Sequence, residues 1–209
     1  MAKKFTITLG RECGAGATLI AETLSNDLHI PYYDKDIFRM VSDRSGVLEE
    51  FFHVNNERPG NNLLYKLIKE LNPKQQKPSL GKDIVSPDNL FRFQSELIKE
   101  LAENETCMII GRCSDYILKD YDHIVKVFVC GDSESKVRRM MSTFSLERST
   151  AIDRIKETDK QRRKYYSYYT GRTWDVASNY DLCLNTSNMT IEEGAEIIKC
   201  YLKQKGYID

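Results

Sequence analysis

No stretch of this 209-residue sequence approaches the run of about 18 apolar residues that a membrane-spanning helix needs, so no membrane partner is expected. It also lacks net charge. Lysine plus arginine and aspartate plus glutamate both number 31, which leaves no global basic field to recommend a nucleic-acid polymer as partner. The six cysteines, at 13, 107, 113, 130, 183 and 200, include no close pair with zinc-site spacing. They read as reduced, mostly buried thiols of a cytoplasmic protein. There is no convincing internal repeat, and the opening M-A-K-K-F-T-I-T-L enters a strand without a signal-peptide cleavage pattern. What remains is an ordinary globular mixture, 41% hydrophobic and 30% charged, sized for one domain (1–209) with excursions.

The informative stretch is Phe5–Leu24. Phe5, Ile7 and Leu9 alternate with small or polar residues, predicting a short buried strand. Gly10, Gly14, Ala15, Gly16 and Ala17 make a turn, and Thr18–Leu24 has helical periodicity. Strand, small-residue turn and helix in that order build an anion cradle. Backbone N–H groups converge, and the unpaired N–H groups of the first helical turn face the anion. Thr18 in that turn is placed to reach a phosphate-bound magnesium ion. A standard phosphate loop has Gly, four residues, Gly-Lys, then Ser or Thr. Here Ala17 stands where the lysine belongs, and Arg11 stands at the opening glycine's position. A tight strand-to-helix turn without a ligand is the plain alternative.

Further strands are expected at 30–33, 106–110, 124–130 and 180–187, separated by helices. The apolar run Cys107-Met108-Ile109-Ile110 fits a strand covered on both faces, which implies helices above and below a parallel sheet. Charge gathers where these strands end. Asp34 and Lys35 follow the second, and Gly111-Arg112 follow the third. In a parallel sheet that edge carries the ligand crevice. Asp34 is read either as a substrate contact or as the cap of the helix starting at Lys35. Residues 43–89 form an excursion from the core, with a helix over Leu63–Leu71 and a loop over 72–87. A helix from Asp88 or Pro87 runs to about Glu103. The charge-dense stretch 147–166 has a thin apolar stripe of Ala151, Ile155 and Tyr166. It is either a solvated helix laced with ion pairs or a basic lid over phosphates, within a lid region spanning 144–175. Thr190 with Glu193 three residues on predicts a capping box for the last helix.

Loop, Asp34-Lys35, Gly111-Arg112 and the late arginines suit phosphoryl transfer, which asks for aligned phosphates, magnesium and cations on the moving charge. Arginine's fork makes paired bonds to phosphate oxygens. A closing basic helix would keep water from taking the phosphoryl group.

Five blocks carry a resemblance: I-T-L-G-R-E-C-G-A-G-A at 7–17, I-P-Y-Y-D-K at 30–35, I-I-G-R-C-S-D-Y-I-L at 109–118, D-K-Q-R-R-K-Y-Y-S-Y-Y-T-G-R-T-W at 159–174, and Y-D-L-C-L-N-T-S at 180–187. In this order, over almost the full length, the chain resembles the cytidylate kinase-like group of P-loop nucleoside monophosphate kinases. The resemblance implies a three-layer α/β P-loop nucleotide-kinase fold with a parallel five-stranded sheet, a helical monophosphate-site excursion and a basic lid. It implies transfer of the ATP γ-phosphoryl group to CMP or dCMP, with ATP and Mg2+ bound. Gly10, Arg11, Gly14, Ala15, Gly16, Ala17 and Thr18 would wrap the ATP phosphates, with Thr18 on the metal. Asp34 and Lys35 would lie near the acceptor nucleotide. Arg112 would hold its phosphate, and Arg148, Arg154 and Arg163 would be lid residues. Arg11 is expected to replace the missing lysine's charge from the other side of the loop. Two alternatives stand beside this reading: a degenerate kinase acting as a nucleotide-binding regulator, and a kinase of another small acceptor. A loop-bearing interaction module that binds no nucleotide is a third.

Overall fold

The computed structural model describes residues 4–57 and 86–209. Its centre is a five-stranded, all-parallel sheet of order β2-β3-β1-β4-β5. The strands are β1 (Thr6–Arg11), β2 (Tyr32–Tyr33), β3 (Cys107–Ile110), β4 (Ile124–Cys130) and β5 (Leu182–Asn185). Around them lie α1 (Ala17–Leu28), α2 (Asp36–Ser45), α3 (Glu49–Glu57), α4 (Pro87–Asn104), the single turn α5 (Ser114–Ile117), α6 (Ser133–Phe144), α7 (Arg148–Thr170) and α8 (Ile191–Gln204). The predicted 63–71 helix and all but the end of the 72–87 loop fall outside the described residues.

Alternation along β3 explains the three layers. Met108 and Ile110 join Ile7, Leu9 and the β4 valines in a cluster roofed by α1 and α8. Cys107 and Ile109 point the other way, into a cluster built with α2, α3 and α4. All four are fully buried. Burying each isoleucine there is worth roughly 1.5–3 kcal/mol. Strand β1 is buried equally on both faces, which places the turn at its C-terminal end over the middle of the sheet.

Several helix starts are set by local chemistry. The Ser86 side chain accepts from Asn89 N–H with Pro87 at the first helical position, and Asp132 accepts from Ser135 N–H. The Thr190–Glu193 capping box is present, with the Thr190 oxygen accepting from Glu193 N–H at 3.1 Å and Glu193 accepting from Thr190 N–H at 2.7 Å. The single turn α5 begins at Ser114, directly after the left-handed Cys113. One aromatic cluster anchors the far end of α7: Tyr165, Tyr166 and Trp174 pack with Phe128, and Phe91, stacked on Tyr169, joins it through Tyr165.

Candidate functional site

The C-terminal ends of β1, β2 and β3 open into a cavity of about 610 Å³. Its floor is the small-residue turn. Gly10, Arg11, Gly14, Gly16, Ala17 and Thr18 line it, whereas Ala15 is wholly buried behind the wall. Gly14 has φ +78°, and a Cβ there would lie 2.8 Å from the Lys136 carbonyl, so only glycine fits between loop and α6.

The turn is clamped from outside at successive residues. Arg162 Nη1 donates to the Arg11 carbonyl at 3.0 Å. Glu12 takes the Lys136 ammonium at 2.9 Å and the Gly131 N–H at 3.2 Å. Cys13 N–H donates to Asp159 at 2.7 Å. Arg139 donates to the Gly14 carbonyl at 2.6 Å, and the Thr186 hydroxyl to the Ala15 carbonyl at 2.8 Å. A loop that lacks its own lysine is thus held by α6, α7 and the turn after β5.

Arg11 lines the cavity together with the loop. Its guanidinium crosses toward the β2 and β3 ends, pairs with Asp34 at 3.3 Å and covers Gly111. Asp34 makes no helix cap: α2 starts after Lys35 with no side-chain cap bond. Arg112 joins the same carboxylate at 3.8 Å and donates to the Asp34 carbonyl at 3.3 Å. Its guanidinium lies 3.9 Å from the centre of the Phe38 ring. Gly111, Arg112 and Cys113 are consecutive left-handed residues, at φ +72°, +59° and +55°. Such a conformation costs a non-glycine residue roughly 1–2 kcal/mol and turns the Arg112 side chain into the cavity. Burial pushes the pKa of both arginines down. For Arg11 the charge of Arg162 adds to the fall; for both, Asp34 opposes it. Two largely buried cations therefore share one carboxylate at this end, and Arg112 Nε has no hydrogen-bond partner among the described residues. Lys35 and His53 complete the wall.

Helix α7 carries the roof. Arg154 lines the cavity, its guanidinium 4.6 Å from the Phe144 ring centre. Arg148 and Arg163, expected beside it, do not line the cavity. Arg148 points outward into an exposed pair with Glu134 at 2.9 Å. Arg163 pairs with Asp175 at 3.0 Å and lies over Trp174. Two further arginines line the cavity beside Arg154, Arg139 from α6 and Arg162 from α7, and both were missed by sequence reasoning. A signal for the second existed. The stripe Ala151, Ile155 continues at the same spacing to Asp159, which is buried, and Arg162 stands one turn further along that face.

A parallel sheet whose first strand runs through a small-residue anion loop into a helix, under a roof of arginines, defines a P-loop phosphotransferase. Residues 6–188 match the cytidylate kinase-like family, and the chain belongs to it. It is a P-loop kinase that moves a phosphoryl group from ATP to a small molecule. The cytidylate kinase of Methanopyrus kandleri is 25% identical over 203 residues, covering 92% of this chain and 90% of that protein. An uncharacterized protein from Eubacterium ventriosum has the same fold, with TM-score 0.68 and 24% identity over 96% of this chain and 99% of its own. Shikimate kinase from Bacteroides thetaiotaomicron shares the fold at TM-score 0.51 and 16% identity, over 95% and 98% of the two chains. Among the described residues, no helix is long and apolar enough to cross a membrane.

Proposed function

We propose that this kinase phosphorylates CMP or dCMP, with the loop taking the ATP phosphates and Arg112 taking the acceptor's phosphate. The observation that carries this reading is the largely buried Arg11–Asp34–Arg112 group, where the chain leaves β2 and β3 at the cavity wall. Two desolvated guanidinium groups around one carboxylate leave a positive charge that an acceptor phosphate would neutralise. Loop N–H groups and the N-terminus of α1 would hold the donor phosphates, with Arg154 and Arg162 above the transferring group. An acceptor phosphate oxygen would attack the γ-phosphorus in line, and ADP would leave. Helix α7 would keep water out.

The described residues include no group of three His, Cys, Asp or Glu able to hold a metal ion. Magnesium in phosphoryl transfer commonly takes one or two protein groups, with phosphates and water supplying the rest, so the Thr18 hydroxyl on the cavity wall fits it. When bound, the ion would neutralise charge on the donor phosphates.

A second reading, phosphorylation of another small anionic acceptor, draws on the same arginine pair, which would accept a carboxylate as well as a phosphate. The fold shared with a shikimate kinase favours keeping it. A coupled ADP-release assay with magnesium ATP decides between them, with CMP, dCMP, UMP, AMP, GMP and shikimate each run beside a no-acceptor control. Turnover dependent on CMP or dCMP is expected. Turnover with shikimate alone would move the assignment to the second reading. ATP binding without turnover on any acceptor would point to a regulator and to Ala17 as the reason.

A further inference from the structure

The clamp at Cys13 differs from the others. A carboxylate from the roof helix, rather than a neighbour of the sheet, satisfies a backbone N–H of the anion loop. Asp159 is 4% exposed. One oxygen accepts from Cys13 N–H at 2.7 Å and lies 3.8 Å from Arg162 Nη1, and the other lies 3.6 Å from the Lys136 ammonium. Lys136 in turn holds Glu12, the residue before Cys13. Arg162 holds the Arg11 carbonyl. Cys13 itself packs with Val137, Met140, Ala151 and Ile155, so the loop, α6 and the first half of α7 share one small core.

Burying a carboxylate is costly unless it is paired and hydrogen-bonded. Here every partner belongs to the loop or to a cation touching the loop. An apolar residue at position 159 would continue the Ala151–Ile155 stripe and pack without that cost. The carboxylate therefore does something a packing residue would not: it fixes the Cys13 turn and holds Arg162 against the loop at once.

We propose that Asp159 is a positioning residue for the phosphoryl donor, locking the anion loop and roof helix α7 into one unit so that the loop is already shaped when ATP arrives. The proposal rests on the reading of the loop as the donor site, but on no particular acceptor. A loop lacking its lysine has one cation fewer to hold its shape, and the Asp159–Arg162 pair supplies that order from outside. Preorganisation of this kind raises affinity by lowering the cost of ordering.

The test is equilibrium binding of magnesium ATP, without acceptor, to wild type, Asp159→Ala and Asp159→Asn. The alanine variant is expected to bind about tenfold more weakly, the value of one lost hydrogen bond to a charged group. The asparagine variant keeps an oxygen for Cys13 N–H and is expected to stay within about threefold of wild type. Unchanged or tighter binding by the alanine variant would overturn the proposal, because the carboxylate would then be idle or competing with phosphate. Asparagine as weak as alanine would overturn it too. Should the alanine variant not fold, hydrogen exchange at the Cys13 amide of the wild-type protein decides. Protection that persists when ATP binds supports the lock, and protection lost on binding shows that Asp159 leaves. Since no acceptor enters the test, inactivity toward CMP and dCMP would refute the acceptor assignment and leave this result standing.

Discussion

Arg11 and Asp34, 23 residues apart, meet at 3.3 Å across the ends of β1 and β2, with both side chains less than one-fifth exposed. The arginine emerges from the loop and reaches Asp34 and Gly111, beside Arg112. Its charge is therefore expected to serve the acceptor. Arg11→Ala should raise the acceptor KM about tenfold, or ~1.4 kcal/mol, and leave the ATP KM within about twofold. Steady-state kinetics with each substrate varied in turn measures both. A raised ATP KM with an unchanged acceptor KM would return Arg11 to the donor side.

Gly111 gives an independent handle on the same pair. At φ +72° an alanine is strained by roughly 1–2 kcal/mol, and its Cβ would run into the Arg11 guanidinium. The side chain is the part able to move, so Gly111→Ala should displace Arg11 and reproduce the acceptor defect of Arg11→Ala. Combining the two substitutions should then cost little more than either alone. Additive effects would show that Gly111 acts only through the backbone.

What was legible in the sequence follows from range. The β4 strand and the Thr190–Glu193 box were read to the residue because their causes lie within a few positions: a continuous apolar run, and a side chain bonding three residues on. The three-layer architecture followed from Cys107–Ile110 being apolar at every position. The roof was not legible in the same way. Arg162 and Arg163 are adjacent, yet about 100° apart around α7, and the choice between them depends on which side packs on α6. The apolar stripe that would fix that phase is interrupted by Asp159, whose buried carboxylate is held by a backbone N–H 146 residues away and by the Lys136 ammonium of another helix. The same holds for Arg11. Nothing local distinguishes a loop arginine aimed at phosphate from one aimed at a carboxylate on the next strand but one.

Burial pushes the Asp115 carboxyl up from its ordinary 3.8, and the hydroxyl of Tyr166, bonded to it at 2.6 Å, pulls it partly back. A carboxyl with a raised folded-state pKa binds protons more readily folded than unfolded. Its contribution to stability is therefore greatest below 3.8 and falls as pH rises through the folded value. Asp115→Asn removes that fall while keeping an acceptor for Tyr166. The stability of the variant relative to wild type should rise between pH 4 and pH 8, and a difference flat with pH would contradict the buried ionised carboxylate. Tyr166→Phe should act oppositely at neutral pH, costing about 1–3 kcal/mol by removing the hydroxyl bonded to the buried Asp115 carboxylate. Thermal or urea unfolding at a series of pH values measures both.

The arginines of α7 separate into those that face the cavity and those that do not, and this makes the sharpest contrast. Arg154 lines the cavity beside Phe144, where a cation would act on the transferring charge. Arg154→Ala should lower kcat by about 10²-fold, the scale on which one preorganised donor to a transition-state charge contributes. Arg148 lies earlier on the same helix, in an exposed pair with Glu134. Exposed pairs contribute little to stability, and this one touches no part of the cavity. Arg148→Ala should leave kcat, both KM values and the melting temperature unchanged. Side by side, the two variants test the rotational phase of α7: a kcat loss at Arg148 with none at Arg154 would mean that the helix meets its substrates with a different face from the one that packs against α6.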